Sequence, residues 1–156
     1  MIVNTANFWY TREELGVTED SWDWLKRANE DKWDSLERAH RAGVKIAAGS
    51  NAGFLVDHGQ NAAERAELVK GGLAPIEAIQ AATKTAAELL RVDRETGTLA
   101  PGKLADVVVV DSDPLTSIAL LQWHERITYV FRSGRLVNAP TASEITAGRQ
   151  DVRLRA

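Results

Sequence analysis

The sequence predicts an α/β fold that gives way to a β-rich segment. Three observations carry this. A short apolar strand pattern, a long amphipathic helix and a second, Gly-terminated apolar run follow one another up to Gly49. Three helical patterns come next, between Asn61 and Val92. After Arg94 the chain changes to valine-rich runs separated by turn residues.

Each element has a local cause. Ile2 to Tyr10 reads as a strand with its exit loop. Glu19 to Ala42 reads as a helix, because Trp22, Leu25, Trp33 and Leu36 fall near one face and Asn29 and His40 lie on the same line. Gly43 follows where a helix C-terminus favours glycine. Val44 to Gly49, VKIAAG, is short and apolar, as a buried strand of a parallel sheet is. Residues 50–60 read as a loop. Asn61 with Glu64 has the spacing of a capping box, and Gly71 and Gly72 close the helix it would open. Pro75 suits the first turn of the next helix, which continues through Ile76, Ile79 and Ala82. Thr85 with Glu88 forms a second capping-box pattern. Ala105 to Val110 is a strong strand between two turns. ITYVFRSGRLVN reads as a hairpin bending at Ser133-Gly134. Residues 139–156 form a polar, weakly patterned tail that is expected to fray.

Composition narrows the function classes. The 156 residues suffice for a domain with a real core, and 44% hydrophobic with 26% charged residues is ordinary for a globular chain. A formal net charge of -3 gives no electrostatic case for nucleic acid or an anionic membrane. The chain has no cysteine, which excludes disulfides and thiolate metal sites. MIVNTANFWYTREE lacks the basic and apolar regions of a signal peptide, and no run reaches the ~20 apolar residues of a membrane span. The expected location is cytoplasmic.

The first part holds too little sheet for its pattern. A strand, a helix and a parallel strand need neighbours on both sides to bury their faces. Residues 1–90 supply about two strands, yet Trp9, Trp22, Trp24 and Trp33, four of the five tryptophans, lie there. Either neighbouring strands come from elsewhere, or a compact domain packs these rings inward.

Several polar residues invite a chemical role and do not support one. Ser50 stands beside glycine, but no G-x-S-x-G elbow is present. Asp106, Asp111 and Asp113 do not have the spacing of a calcium loop, and Gly102-Lys103 lacks the rest of a phosphate loop. His40, at a helix end, suits the helix dipole. His124, between Trp123 and Glu125, reads as a surface or packing residue.

RAHRAGVKIAAGSNAGF, HGQNAAERAELVKGGLAPIEAIQAATKTAAELL, GTLAPGKLADVVVVDSDP and VFRSGRLV, in that order, resemble the C-terminal portion of the amidohydrolase superfamily. The branch is the imidazolonepropionase-like and prolidase-like metal-dependent hydrolases, and the resemblance runs from about Thr5 to Val137. It implies the last two strands and following helices of a TIM-type (β/α)8 barrel, plus strands of a small β-sandwich built from both chain ends. The implied divisions are a partial hydrolase barrel at 1–94, a composite sandwich segment at 95–138 and the tail at 139–156.

The resemblance implies a divalent metal, usually zinc, that polarises the substrate and generates hydroxide. His-x-His, lysine or glutamate, and further histidine ligands come from earlier strands. His-x-His is missing here, and the three histidines stand far apart. The eighth strand of the family ends in Gly-Thr-Asp or Gly-Ser-Asp, whose aspartate touches the metal and takes a proton from water. The corresponding turn is Gly49-Ser50-Asn51. An amide has the carboxylate's size without its charge or basicity, so Asn51 is at best a weak metal ligand and no general base. His58, by its matching His-Gly, is the implied substrate contact, against the plainer reading of a solvent-facing loop histidine. The expectation is an amidohydrolase of C–N bonds in small amide, cyclic amide or dipeptide-like substrates, with this truncated chain silent by itself. The alternatives are an interaction subunit that joins an N-terminal barrel half or assembles as a homo-oligomer, and a remnant without function.

Overall fold

The computed structural model describes residues 2–3, 12–50 and 59–139. Trp9, most of the first expected strand and nearly all of the polar tail therefore lie outside the described residues.

The element order begins with β1 (Ile2–Val3), α1 (Arg12–Leu15), α2 (Glu19–Arg41) and β2 (Ala47–Ala48). β1 and β2 pair in parallel, Ile2 opposite Ala47 and Val3 opposite Ala48, with α2 in the crossover between them. This is the strand–helix–strand unit that the sequence predicts.

α2 begins and ends where its residues dictate. The Thr18 hydroxyl accepts the Ser21 N–H at 3.3 Å, and Glu19 and Asp20 occupy the positive first turn. At the other end Gly43, at φ 74°, donates to His40 O, and Val44 N–H donates to Ala39 O at 3.0 Å. Together these two bonds form a Schellman closure. They also shorten the second strand. Val44 is committed to the helix end, and among the described residues the ladder covers Ala47–Ala48 rather than all of 44–49.

Next come α3 (Ala63–Lys70), α4 (Pro75–Ala82) and α5 (Lys84–Leu90). Pro75 is in the first turn of α4, as expected. Neither expected capping box forms. At α3 the helix starts after Ala62, so Asn61 is one residue too early; its carbonyl instead accepts from Arg65 Nη1 at 3.2 Å. At α5 the break is at Thr83, whose hydroxyl donates back to Ile79 O at 2.8 Å; Thr85 is already helical. Half a box forms elsewhere, where Glu77 Oε2 accepts the Ala74 N–H at 2.8 Å.

Leu36, Ile46, Leu68, Leu73, Ala78 and Ala81 form the core cluster, with Leu36 and Leu68 wholly buried. It gathers α2, the approach to β2, α3 and α4. Trp22, Leu25 and Trp33 are half-buried along the predicted α2 face, whereas Trp24 lies 64% exposed.

β3 (Val107–Val110), β4 (Ile127–Arg132) and β5 (Arg135–Asn138) make an antiparallel sheet in that order. Two 3₁₀ turns, Ile118–Gln122 and His124–Arg126, connect β3 to β4. The first packs on α3 and buries Ile118 and Leu120. The hairpin bends at Ser133-Gly134, with φ of 49° and 75°, the left-handed pair that a two-residue turn of this hand requires.

Candidate functional site

Parallel pairing points the C-terminal ends of β1 and β2 to the same end of the sheet. Beyond β2 come Gly49 and Ser50, both half-buried. Asn51, the expected weak metal position, follows directly. Asn51 and His58, the expected substrate contact, both lie outside the described residues. What is described is the frame on either side. Ile46 and Ala47 are buried before the turn, and the chain resumes at Gly59 and enters α3.

α3 is anchored by buried charges, of which the sequence pattern marks only Glu64, as a helix-start residue. Glu67 is 2% and Glu64 4% exposed. Lys32 Nζ of α2 lies 3.3 Å from Glu67 Oε2, and Lys70 Nζ donates to Glu67 Oε1 at 2.6 Å. Both ammonium groups stand near the Trp33 ring, 4.6 Å and 5.8 Å from its centre. Burial holds the Lys32 ammonium below the usual lysine range, while the Glu67 and Glu64 carboxylates draw it back up. A buried pair of this kind specifies how α3 docks on α2. The sequence signal was the three-residue spacing of Glu64 and Glu67 beside Leu68, on the face that α3 buries.

His40 has a partner of its own. Its Nε2 is 3.2 Å from Glu77 Oε1, which ties the end of α2 to the start of α4. The Ala74 N–H, and after it His40, holds the Glu77 carboxyl below its ordinary value. The remaining polar residues do local structural work. Asp106 Oδ1 accepts the Ser133 N–H at 2.7 Å and braces the hairpin bend. Asp113 Oδ1 accepts the Leu115 N–H at 2.9 Å, and Asp111 pairs with Arg126 at 3.0 Å. Lys103 Nζ donates to the Asp93 carbonyl and the Thr98 hydroxyl, each at 2.6 Å, and so closes its own turn. His124 is exposed.

An open cleft of about 350 Å³ lies between Asp111, Trp123, Glu125 and Arg126. Its Asp111–Arg126 pair is already satisfied internally. Among the described residues no three His, Cys, Asp or Glu side chains come together to hold a metal ion. The described residues alone therefore do not fit the metal that the sequence resemblance implies.

The described fold, a strand–helix–strand unit followed by helices and a small antiparallel sheet, resembles solved structures of known kind. Residues 6–137 match the amidohydrolase family. The chain belongs to that family. It is 33% identical over 129 residues to an ochratoxinase of Aspergillus niger, a match that takes in 80% of this chain and 26% of the relative. A Xaa-Pro dipeptidase solved with methionine in its active site is 34% identical, with a TM-score of 0.66 over 71% of this chain and 26% of that one. A prolidase solved with N-methylphosphonate-L-proline is 27% identical, with a TM-score of 0.71 over 89% of this chain and 35% of that one. The chain thus spans about a quarter to a third of the length of these relatives.

Proposed function

We propose that the chain supplies the last two strands and following helices of a (β/α)8 barrel, with strands of its accompanying sandwich, to a metal-dependent amidohydrolase. The observation that carries this is the parallel β1–β2 pair, joined through α2 and opening at Gly49-Ser50, next to the family's ligand position. A barrel of this kind keeps its active site at that end of its strands. The reaction is hydrolysis of a C–N bond in a small amide, cyclic amide or dipeptide-like substrate. The dipeptidase and prolidase relatives support the last of these.

The division of labour follows from the residues. Asn51 keeps the shape of the aspartate and offers no charge and no base, so no proton step is assigned to it. His58 contacts substrate. A divalent metal, zinc in the usual case, belongs to the complete enzyme and rests on ligands that this chain does not carry. What this chain contributes is the frame, with α3, which follows both residues in sequence, fixed through Glu67 to Lys32.

The test is an assay of the purified chain against Xaa-Pro dipeptides and N-acyl amides with added zinc. No turnover above buffer is expected, and Asn51→Asp alone does not create it. Turnover that Asn51→Ala abolishes would overturn the reading.

A second reading is favoured by the parallel sheet, which has two strands among the described residues, and by the exposure of Trp24 on α2. The chain then acts as a subunit that joins a separately made N-terminal barrel half. Mixing with such a half restores metal binding, whereas unchanged mass and metal content on mixing count against it.

A further inference from the structure

The link from α5 to β3 folds back on itself. α5 ends at Leu90, and Arg91 turns the chain in the left-handed conformation at φ 61°. From there the chain makes a closed loop, Val92 to Leu104. Val92 N–H donates to Ala87 O at 3.0 Å and Thr96 N–H to Val92 O at 3.1 Å. Leu104 N–H returns to Glu95 O at 2.8 Å and shuts the loop before β3 begins. Gly97 lies so close to the preceding helices that an added Cβ would stand 3.1 Å from the Thr83 carbonyl oxygen.

The loop is built around a charge. Lys103 Nζ lies 2.6 Å from Asp93 O, 3.2 Å from Thr96 O and 2.6 Å from Thr98 Oγ1. An ammonium has three N–H donors and no acceptor, and these three oxygens match its donors one for one. None of the three is a carboxylate oxygen, since Asp93 offers its main chain. Among the described residues neither carbonyl accepts another hydrogen bond. Neutral oxygens in this number suit a monovalent ammonium, whereas a calcium ion takes more oxygens, carboxylates among them. A guanidinium is a flat fork and does not bring three donors to one point. Two carbonyls and a hydroxyl drawn to one point need a cation there. Without it their oxygens face one another, and nothing repays their loss of water.

We propose that the Val92–Leu104 loop is a binding site for a primary ammonium group, filled in this chain by its own Lys103, and that the loop keeps its closed form only while the site is filled. A free alkylammonium ion takes the place when the lysine amine is removed. The link between the helices and the sheet is thus set by one charge held on main-chain oxygens, and it opens when that charge is lost.

The experiment compares amide exchange in the full chain and in Lys103→Ala. Alanine keeps the Cβ, and propylammonium supplies the rest of the lost side chain. The Leu104 amide of the variant is expected to lose protection by about tenfold while the amides of α4 keep theirs. Millimolar propylammonium chloride is expected to restore that protection saturably. Propyltrimethylammonium chloride, which has the same charge and no N–H donor, is expected to leave it lost, and the unsubstituted chain responds to neither salt. Recovery with both salts, recovery with neither, or a Leu104 amide that Lys103→Ala leaves unchanged would overturn the proposal. Thr98→Val keeps Lys103 and removes one oxygen of the site, so it decides the matter if Lys103→Ala does not fold. A loss of Leu104 protection smaller than tenfold, confined to the loop, is expected there; unchanged protection would overturn the proposal. Catalysis plays no part in the readout, so failure here and failure of the hydrolase reading are separately visible.

Discussion

The helical part and the antiparallel sheet of this chain handle their apolar residues in opposite ways. Around α2, α3 and α4, Leu36 and Leu68 are wholly buried, and even two glutamates are 2–4% exposed. In β3, β4 and β5 no residue reaches the buried class, although the register stacks Val107, Phe131 and Leu136 on one face and Val108 with Val130 on the other. The strands are no less apolar in sequence than the helices. The difference lies in layers: helices can cover one another, whereas a three-stranded sheet needs something laid on each face. Among the described residues the buried core lies with the helices and β2, and the residues of the three-stranded sheet stay exposed or half-exposed.

The sharpest way to break that contrast is at Glu67. Glu67→Ala removes the nearest carboxylate from Lys32, and the expected cost is about 3–5 kcal/mol, read as a lower denaturation midpoint with unchanged slope. Leu36→Ala, in the same core, is expected to cost about 3 kcal/mol. Gly97 joins the two parts. It sits at φ 88°, and an added Cβ would come within 2.6 Å of the Ala87 Cβ. Gly97→Ala is expected to cost about 1–3 kcal/mol, and thermal unfolding would show it. Val108→Thr on the sheet should shift stability by less than about 0.5 kcal/mol. A loss there as large as at Leu36 would show that the sheet is already covered.

The smallest effect is electrostatic. The Glu77 carboxyl is held below its ordinary 4.5 by the Ala74 N–H and by His40. A depressed carboxyl lends stability that is complete above the unfolded value and is lost as pH falls from 4.5 through the lower folded value. Glu77→Gln should therefore leave stability near neutrality almost independent of pH in this respect and flatten the decline below pH 4.5. An unchanged acid limb would remove Glu77 from the account.

Much of this architecture was legible in the residues. The spacing of Trp22, Leu25, Trp33 and Leu36 with Gly43 gave α2 to within a residue, and Ser133-Gly134 gave the bend. Local patterns of this kind depend on neighbours in sequence. What could not be read depended on neighbours in space. Glu64 looks like a capping residue until Lys32 is brought beside α3, and Glu77 and His40 meet only because two helix ends meet. Val44 belongs to an apolar run, yet its N–H is taken by Ala39. For the candidate site the sequence says more than the fold does: Asn51 and His58 rest on the motif order around them, and the structure describes only the segments on either side, up to Ser50 and from Gly59.

The contrast between the two parts is tested most directly by native-state amide exchange on the isolated chain. The account predicts that core amides of α2, α3 and α4 exchange only through global unfolding, while β3 and β5 exchange faster, by local opening. Sheet amides as slow as those of the helical core would contradict it, because they would mean that the sheet is already a covered layer.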